Sequence, residues 1–159
     1  MTRSPDTDTK SGFAALTFER DVAAPLSTLW QVWTAPAARE IWSAPSPSVR
    51  VEFLEADSRV GGREASLCKV EGQPDVHSES RWLVLQPLRR SVSSEVISSQ
   101  GMTQSAALLT AELSGTQERS RLELTVQLSS LSEDMEPGYR EGFGAGLDNL
   151  VNVAERTMV

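Results

Sequence analysis

Cysteine and histidine are almost missing from this chain: Cys68 and His77 are the single examples of each in 159 residues. One thiol cannot close an internal disulfide, and one Cys with one His cannot furnish a Cys/His zinc site. The usual Ser-His or Cys-His relay is also excluded, unless His77 alone serves as the base. Positive charge is sparse too. The net charge is -7, and the longest basic run is the pair Arg89-Arg90. Nucleic-acid affinity comes largely from Lys and Arg displacing counterions, so neither nucleic acid nor an anionic membrane surface is an expected partner. No apolar run approaches the roughly 20 residues that span a bilayer. The stretch from Met1 to Gly12 is rich in Ser, Thr and Asp, without the apolar segment of a secretory signal. The expectations are a cytoplasmic protein with no membrane insertion, no metal and no cofactor. A flexible tail over 1–12 precedes one domain over 13–159, a length that can hold a core without staples.

Tryptophan, by contrast, is plentiful: Trp30, Trp33, Trp42 and Trp82 must pack a core or line a pocket. Leu16, Phe18 and Val22 alternate with Thr17, Glu19 and Asp21, the period of a strand with one buried face. Ala24-Pro25 ends it, and Pro25 suits a first helical position. Leu26, Leu29, Trp30 and Trp33 then keep helical spacing up to Thr34, and Pro36 opens a second short helix through Trp42. Val49, Val51 and Phe53 alternate with charged residues as a second strand, and Gly61-Gly62 turns the chain into its partner, Arg63 to Val70. Strands follow over about 76–85, 90–97, 105–113 and 121–128. Seven strands result, six in a meander. The period then changes: Tyr139, Phe143, Leu147, Leu150 and Ala154 recur at three and four, an amphipathic helix suited to the open face of the sheet.

Several phrases resemble one family. They are the stretch Ala24-Pro25 to Trp33-Thr34, Trp42, Arg59-Val60-Gly61-Gly62, Leu85-Gln86-Pro87-Leu88-Arg89-Arg90, and Gly142-Phe143 ahead of Leu147 and Leu150. In this order and spacing, over about residues 16 to 155, the chain resembles the AHSA1-like branch (activator of Hsp90 ATPase homologue 1-like) of the START/SRPBCC, or Bet v 1-like, superfamily. The resemblance implies an α+β helix-grip fold, a curved seven-stranded antiparallel sheet around a long C-terminal helix, with two short helices between strands 1 and 2. Phe143 stands where the family's last helix has Trp, and Trp82 where a smaller residue is usual.

The resemblance also implies a cavity between sheet and helix that takes a small hydrophobic or amphipathic molecule, lipid-like or aromatic. The candidates to line it are Trp42, Phe53, His77, Trp82, Tyr139, Phe143 and Leu147. Large rings fill cores as readily as they line pockets, and for Trp82, Tyr139 and Phe143 both readings stand. Gly138, Gly142 and Gly146 form a row on the last helix. They allow either close approach to the sheet or room for a ligand. His77, Glu79 and Arg81 share one strand face, which is a proton-transfer cluster if it points inward and a solvated face if outward. An apolar pocket of roughly 300 Å³ or more would favour ligand binding. A packed centre would favour a protein-interaction domain, with an Hsp90-type chaperone a disfavoured partner for a single module. A cyclase- or hydrolase-like enzyme is a third reading, weakened by the missing nucleophile-base pair.

Overall fold

A computed structural model of the chain describes residues 12–44, 46–131 and 133–157. Strand β1 (Gly12–Val22) leads into two short helices, α1 (Leu26–Thr34) and α2 (Pro36–Trp42). Six strands follow in a meander: β2 (Val49–Glu55), β3 (Arg63–Val70), β4 (Val76–Gln86), β5 (Arg90–Ser99), β6 (Met102–Gly115) and β7 (Ser120–Ser130). Helix α3 (Glu136–Arg156) comes next. Neighbouring strands are antiparallel in the order β1-β7-β6-β5-β4-β3-β2, so β1 and β2 form the two edges. This is the helix-grip arrangement that the sequence led us to expect. The tail predicted over 1–12 lies outside the described residues except at Gly12, which opens β1.

Local chemistry accounts for the joints. Pro36 occupies the first turn of α2, where a missing N–H leaves no bond unmade. Pro25 stands one place before α1, in extended backbone, rather than in its first turn. The Gly61-Gly62 pair is demanded twice. Gly61 has φ of 81°, and a Cβ on Gly62 would lie 2.0 Å from the Asp57 carbonyl oxygen. Gly61 N–H donates to the Trp82 carbonyl at 2.7 Å and Trp82 N–H to the Gly62 carbonyl at 3.2 Å. The turn therefore fixes Trp82 against the start of β3.

The inner face of the sheet has two unlike halves. On β1, β6 and β7 it is apolar: Leu16, Leu109, Ala111, Leu113, Leu122, Leu124, Val126 and Leu128 are buried. Leu29, Val32 and Trp33 of α1 and Leu147, Leu150 and Ala154 of α3 complete that core. The helices make their close approaches to β1, β2, β6 and β7. On β3, β4 and β5 the register instead turns Glu64, Ser66 and Cys68, then Ser78, Ser80 and Trp82, then Ser91, Ser93 and Glu95 to the same side.

The glycine row on α3 is not explained by close approach to the sheet. A Cβ on Gly138 or Gly142 would meet nothing within 4 Å, while one on Gly146 would touch the Trp42 ring at an ordinary 3.6 Å. Glycine in an exposed helix costs about 1 kcal/mol relative to alanine. We therefore expect Gly142→Ala to raise the urea midpoint, with a gain of about 0.5–1 kcal/mol. A lower midpoint would show that Gly142 meets a constraint beyond its own helix.

Candidate functional site

Glu64, Ser80 and Glu95 lie in one cross-strand row, and the next row toward β2 holds Phe53, Ser66, Ser78 and Ile97. Water reaches part of Phe53, Ser66, Cys68, Ser78, Ser80, Ser93, Glu95 and Ile97. Their inward-pointing counterparts on β6 and β7, such as Ala107, Leu109, Leu124 and Val126, are buried. The inner face is thus less completely buried over β3–β5 than over β6 and β7. We take this partly covered stretch, over the buried Glu64 and Trp82 (2% and 4% exposed), as the candidate recess.

One cation governs this recess. Arg39 projects from α2 and its Nη1 donates to Glu64 Oε1 at 2.6 Å. Its guanidinium carbon sits 4.7 Å from the Phe53 ring centroid and 5.3 Å from that of Trp82, within the range of cation–π attraction. Two buried polar atoms beside it, Glu64 Oε2 and Trp82 Nε1, have no hydrogen-bond partner. Across the recess the Tyr139 hydroxyl donates to Glu95 Oε1 at 3.1 Å. The phenol has one proton, so at 3.2 Å it accepts from Ser105 Oγ.

Burial pushes the Glu95 carboxyl up from the ordinary carboxylate range, against the lowering pull of Tyr139, Arg39 and Ser78. Burial also pushes the Tyr139 phenol up, and the Glu95 charge adds to that. The sign for stability follows. Folded protein holds the Glu95 proton to higher pH than unfolded protein does, so stability declines as pH rises from the unfolded value of about 4.3 toward the folded one. Glu95→Gln is expected to remove that decline. Urea midpoints against pH should run flatter for the variant, and parallel curves would refute the assignment.

The candidates named from sequence divide. Trp42 belongs to the core: it stacks on Trp33 with centroids 5.6 Å apart, and its Nε1 donates to the Val32 carbonyl at 2.8 Å. Leu147 is fully buried in the same core, and Phe143 packs at its margin, 5.9 Å from both Phe18 and Tyr139. Trp82, Tyr139 and Phe53 border the recess. His77 does not. Trp82 faces inward, and the alternation of β4 sends His77, Glu79 and Arg81 to the convex side, where all three are exposed and Glu79 pairs with Arg63. Two hollows lie elsewhere, and neither is an apolar cavity between helix and sheet. One, of about 390 Å³, lies beside Asn149, Asn152, Glu155 and Arg156. The other, of about 630 Å³, lies on the convex face by Phe13, Val96 and Leu108. Side chains from β1, β7, α1 and α3 fill the space where the apolar cavity was expected.

Sequence reading missed Arg39, Glu64, Ser78 and Glu95. A signal for three of them exists: β3, β4 and β5 carry small polar or acidic residues at alternate positions, Glu64-Ser66-Cys68, Ser78-Ser80 and Ser91-Ser93-Glu95, on a face that neighbouring strands devote to leucine. Arg39 has no such signal.

A curved antiparallel sheet gripping a long helix, with two short helices after β1, defines a helix-grip α+β domain of the START/SRPBCC kind. Within that class the chain belongs to the family described as activator of Hsp90 ATPase homolog 1-like protein, whose model matches residues 23–155. Solved structures share the fold. An uncharacterized protein from Rhizobium leguminosarum is 22% identical with a TM-score of 0.82, covering 92% of this chain and 97% of that one. The Mll3558 protein from Rhizobium loti is 26% identical with a TM-score of 0.79, covering 90% and 98%. Protein CV1439 from Chromobacterium violaceum is 22% identical with a TM-score of 0.77, covering 89% and 96%. No curated protein matches the chain. Among the described residues no helix is long and apolar enough to cross a membrane.

Proposed function

We propose that the protein binds a small amphipathic molecule in the recess over β3–β5. Its apolar part rests on Phe53, Trp82 and Ile97, and its polar part meets the serines, Glu95 and Tyr139. The observation that carries this reading is the polar, partly water-accessible half of an otherwise apolar inner face. A buried polar atom without a partner costs about 1–3 kcal/mol. Glu64 Oε2 and Trp82 Nε1 are two such atoms, in a chain with ample leucine to close the space instead. Binding sites accept such costs because a few placed polar groups orient an otherwise apolar ligand. The sequence-based expectation put the ligand in an apolar cavity between helix and sheet. Core side chains fill that space, which by the same expectation favours a protein-interaction domain, and the ligand reading rests instead on the polar side of the sheet.

The test is an NMR screen of isotope-labelled protein against small lipids and aromatic compounds. Binding as proposed shifts the Trp82 indole N–H and the Ser78 and Ser80 amides. Hits that move only convex-face residues such as Val96 and Leu108 would overturn the reading in favour of a surface contact.

A further inference from the structure

Within that binding reading, on which this step rests, we propose that the polar end of the ligand is a cation: a small organic ammonium on an apolar body, received against Glu95. The charges of the recess point to it. Among the described residues, the inner faces of β2–β5 carry two carboxyl groups, Glu64 and Glu95, and no Lys or Arg. Arg39 of α2 is the cation that faces both, and it is held by Glu64 at 2.6 Å. Glu95 is therefore left with hydroxyl partners and no cation of its own.

The surroundings of Glu95 are those of an unanswered acid. Tyr139 faces it from α3, Ser78 and Ser80 from β4, Arg39 from α2, and Ala107 beside it on β6; Glu64 lies beyond Ser80 on β3. Hydroxyl groups stabilise a carboxylate only in part, and burial outweighs them here. An ammonium within hydrogen-bond reach would supply the missing counter-charge, and serine oxygens could accept its remaining protons. An anionic ligand fares worse. The guanidinium it needs is committed to Glu64, and it would sit beside two carboxyl groups. The net charge of -7 also favours the approach of cations.

Three probes of one shape separate the possibilities: benzylamine, benzyl alcohol and benzoate. Each is titrated into the labelled protein with the Trp82 indole and the Ser78 and Ser80 amides as reporters. We expect the amine to bind at least about ten-fold more tightly than the alcohol, a difference of about 1.4 kcal/mol, and benzoate most weakly. Glu95→Gln should bring amine and alcohol level. A readout on the unaltered protein guards against a variant that folds poorly: in the pH range where Glu95 still holds its proton, an ammonium draws it into the ionised form, so amine binding there releases protons and alcohol binding does not. Buffer-dependent heats of binding measure this. Alcohol or benzoate binding at the recess as tightly as the amine would refute the cation and leave the binding site standing. Reporters that stay still for all three probes, with no hit in the wider screen, would remove both.

Discussion

Urea unfolding of the Leu147→Ala variant is expected to show a loss of about 2–5 kcal/mol, the transfer cost of the lost methyl groups plus that of the cavity left behind. Leu147 is fully buried beside Leu150 and Ala154 on the face of α3 turned to the core. The surrounding side chains come from different elements and cannot all collapse into the space. Val151 is only partly buried at the edge of the same core, so Val151→Ala should cost clearly less. Equal midpoints for parent and Leu147→Ala would mean that α3 does not close over the sheet as described.

Arg39→Ala is expected to cost about 3–5 kcal/mol, the range for stripping the partner from a buried charge. An exposed ion pair would lose about 0–1 kcal/mol. Glu64 is 2% and the Arg39 side chain 18% exposed, so water cannot readily replace the guanidinium. The variant also loses the packing of Arg39 over Phe53 and Trp82. The cycle completed with Glu64→Gln separates the two contributions. The double variant Arg39→Ala/Glu64→Gln should recover part of the loss, because the remaining amide no longer needs a counter-charge. If Arg39→Ala alone stays within about 1 kcal/mol of the parent, the pair is solvated and the recess is more open than its floor indicates.

How much could be read beforehand depended on whether the signal was local. α2 over 36–42 and β3 over 63–70 were legible to the residue, and α1 to within one, since proline, paired glycines and strict periodicity mark their ends. β6 extends to 102–115, beyond the apolar alternation at 105–113, because its polar ends still pair with β5 and β7. The site was far less legible. The alternation of β4 defines two faces without saying which is inward. Only the pairing of Ser80 with Glu64 and Glu95 decides it, and that choice moved His77 out and Ser78 in. Arg39 could not be singled out at all. It is one charge on a seven-residue helix, and its role depends on Glu64 and Trp82, which reach it only in the folded chain.

The pairing of β1 with β7 also sets an order of events during folding. Gly12 aligns with Ser130 and Val22 with Ser120, so the two strands meet only after the loop between them has closed. The hairpins from β2 to β5 join neighbours in sequence and close short loops, for which the entropy cost is smaller. The meander from β2 to β7 can thus assemble from nearby segments, while β1 waits for a distant one. During synthesis Leu16 and Phe18 remain without their strand partners Val126 and Leu124 until more than a hundred further residues have been added. That interval is when the chain is most exposed to wrong partners.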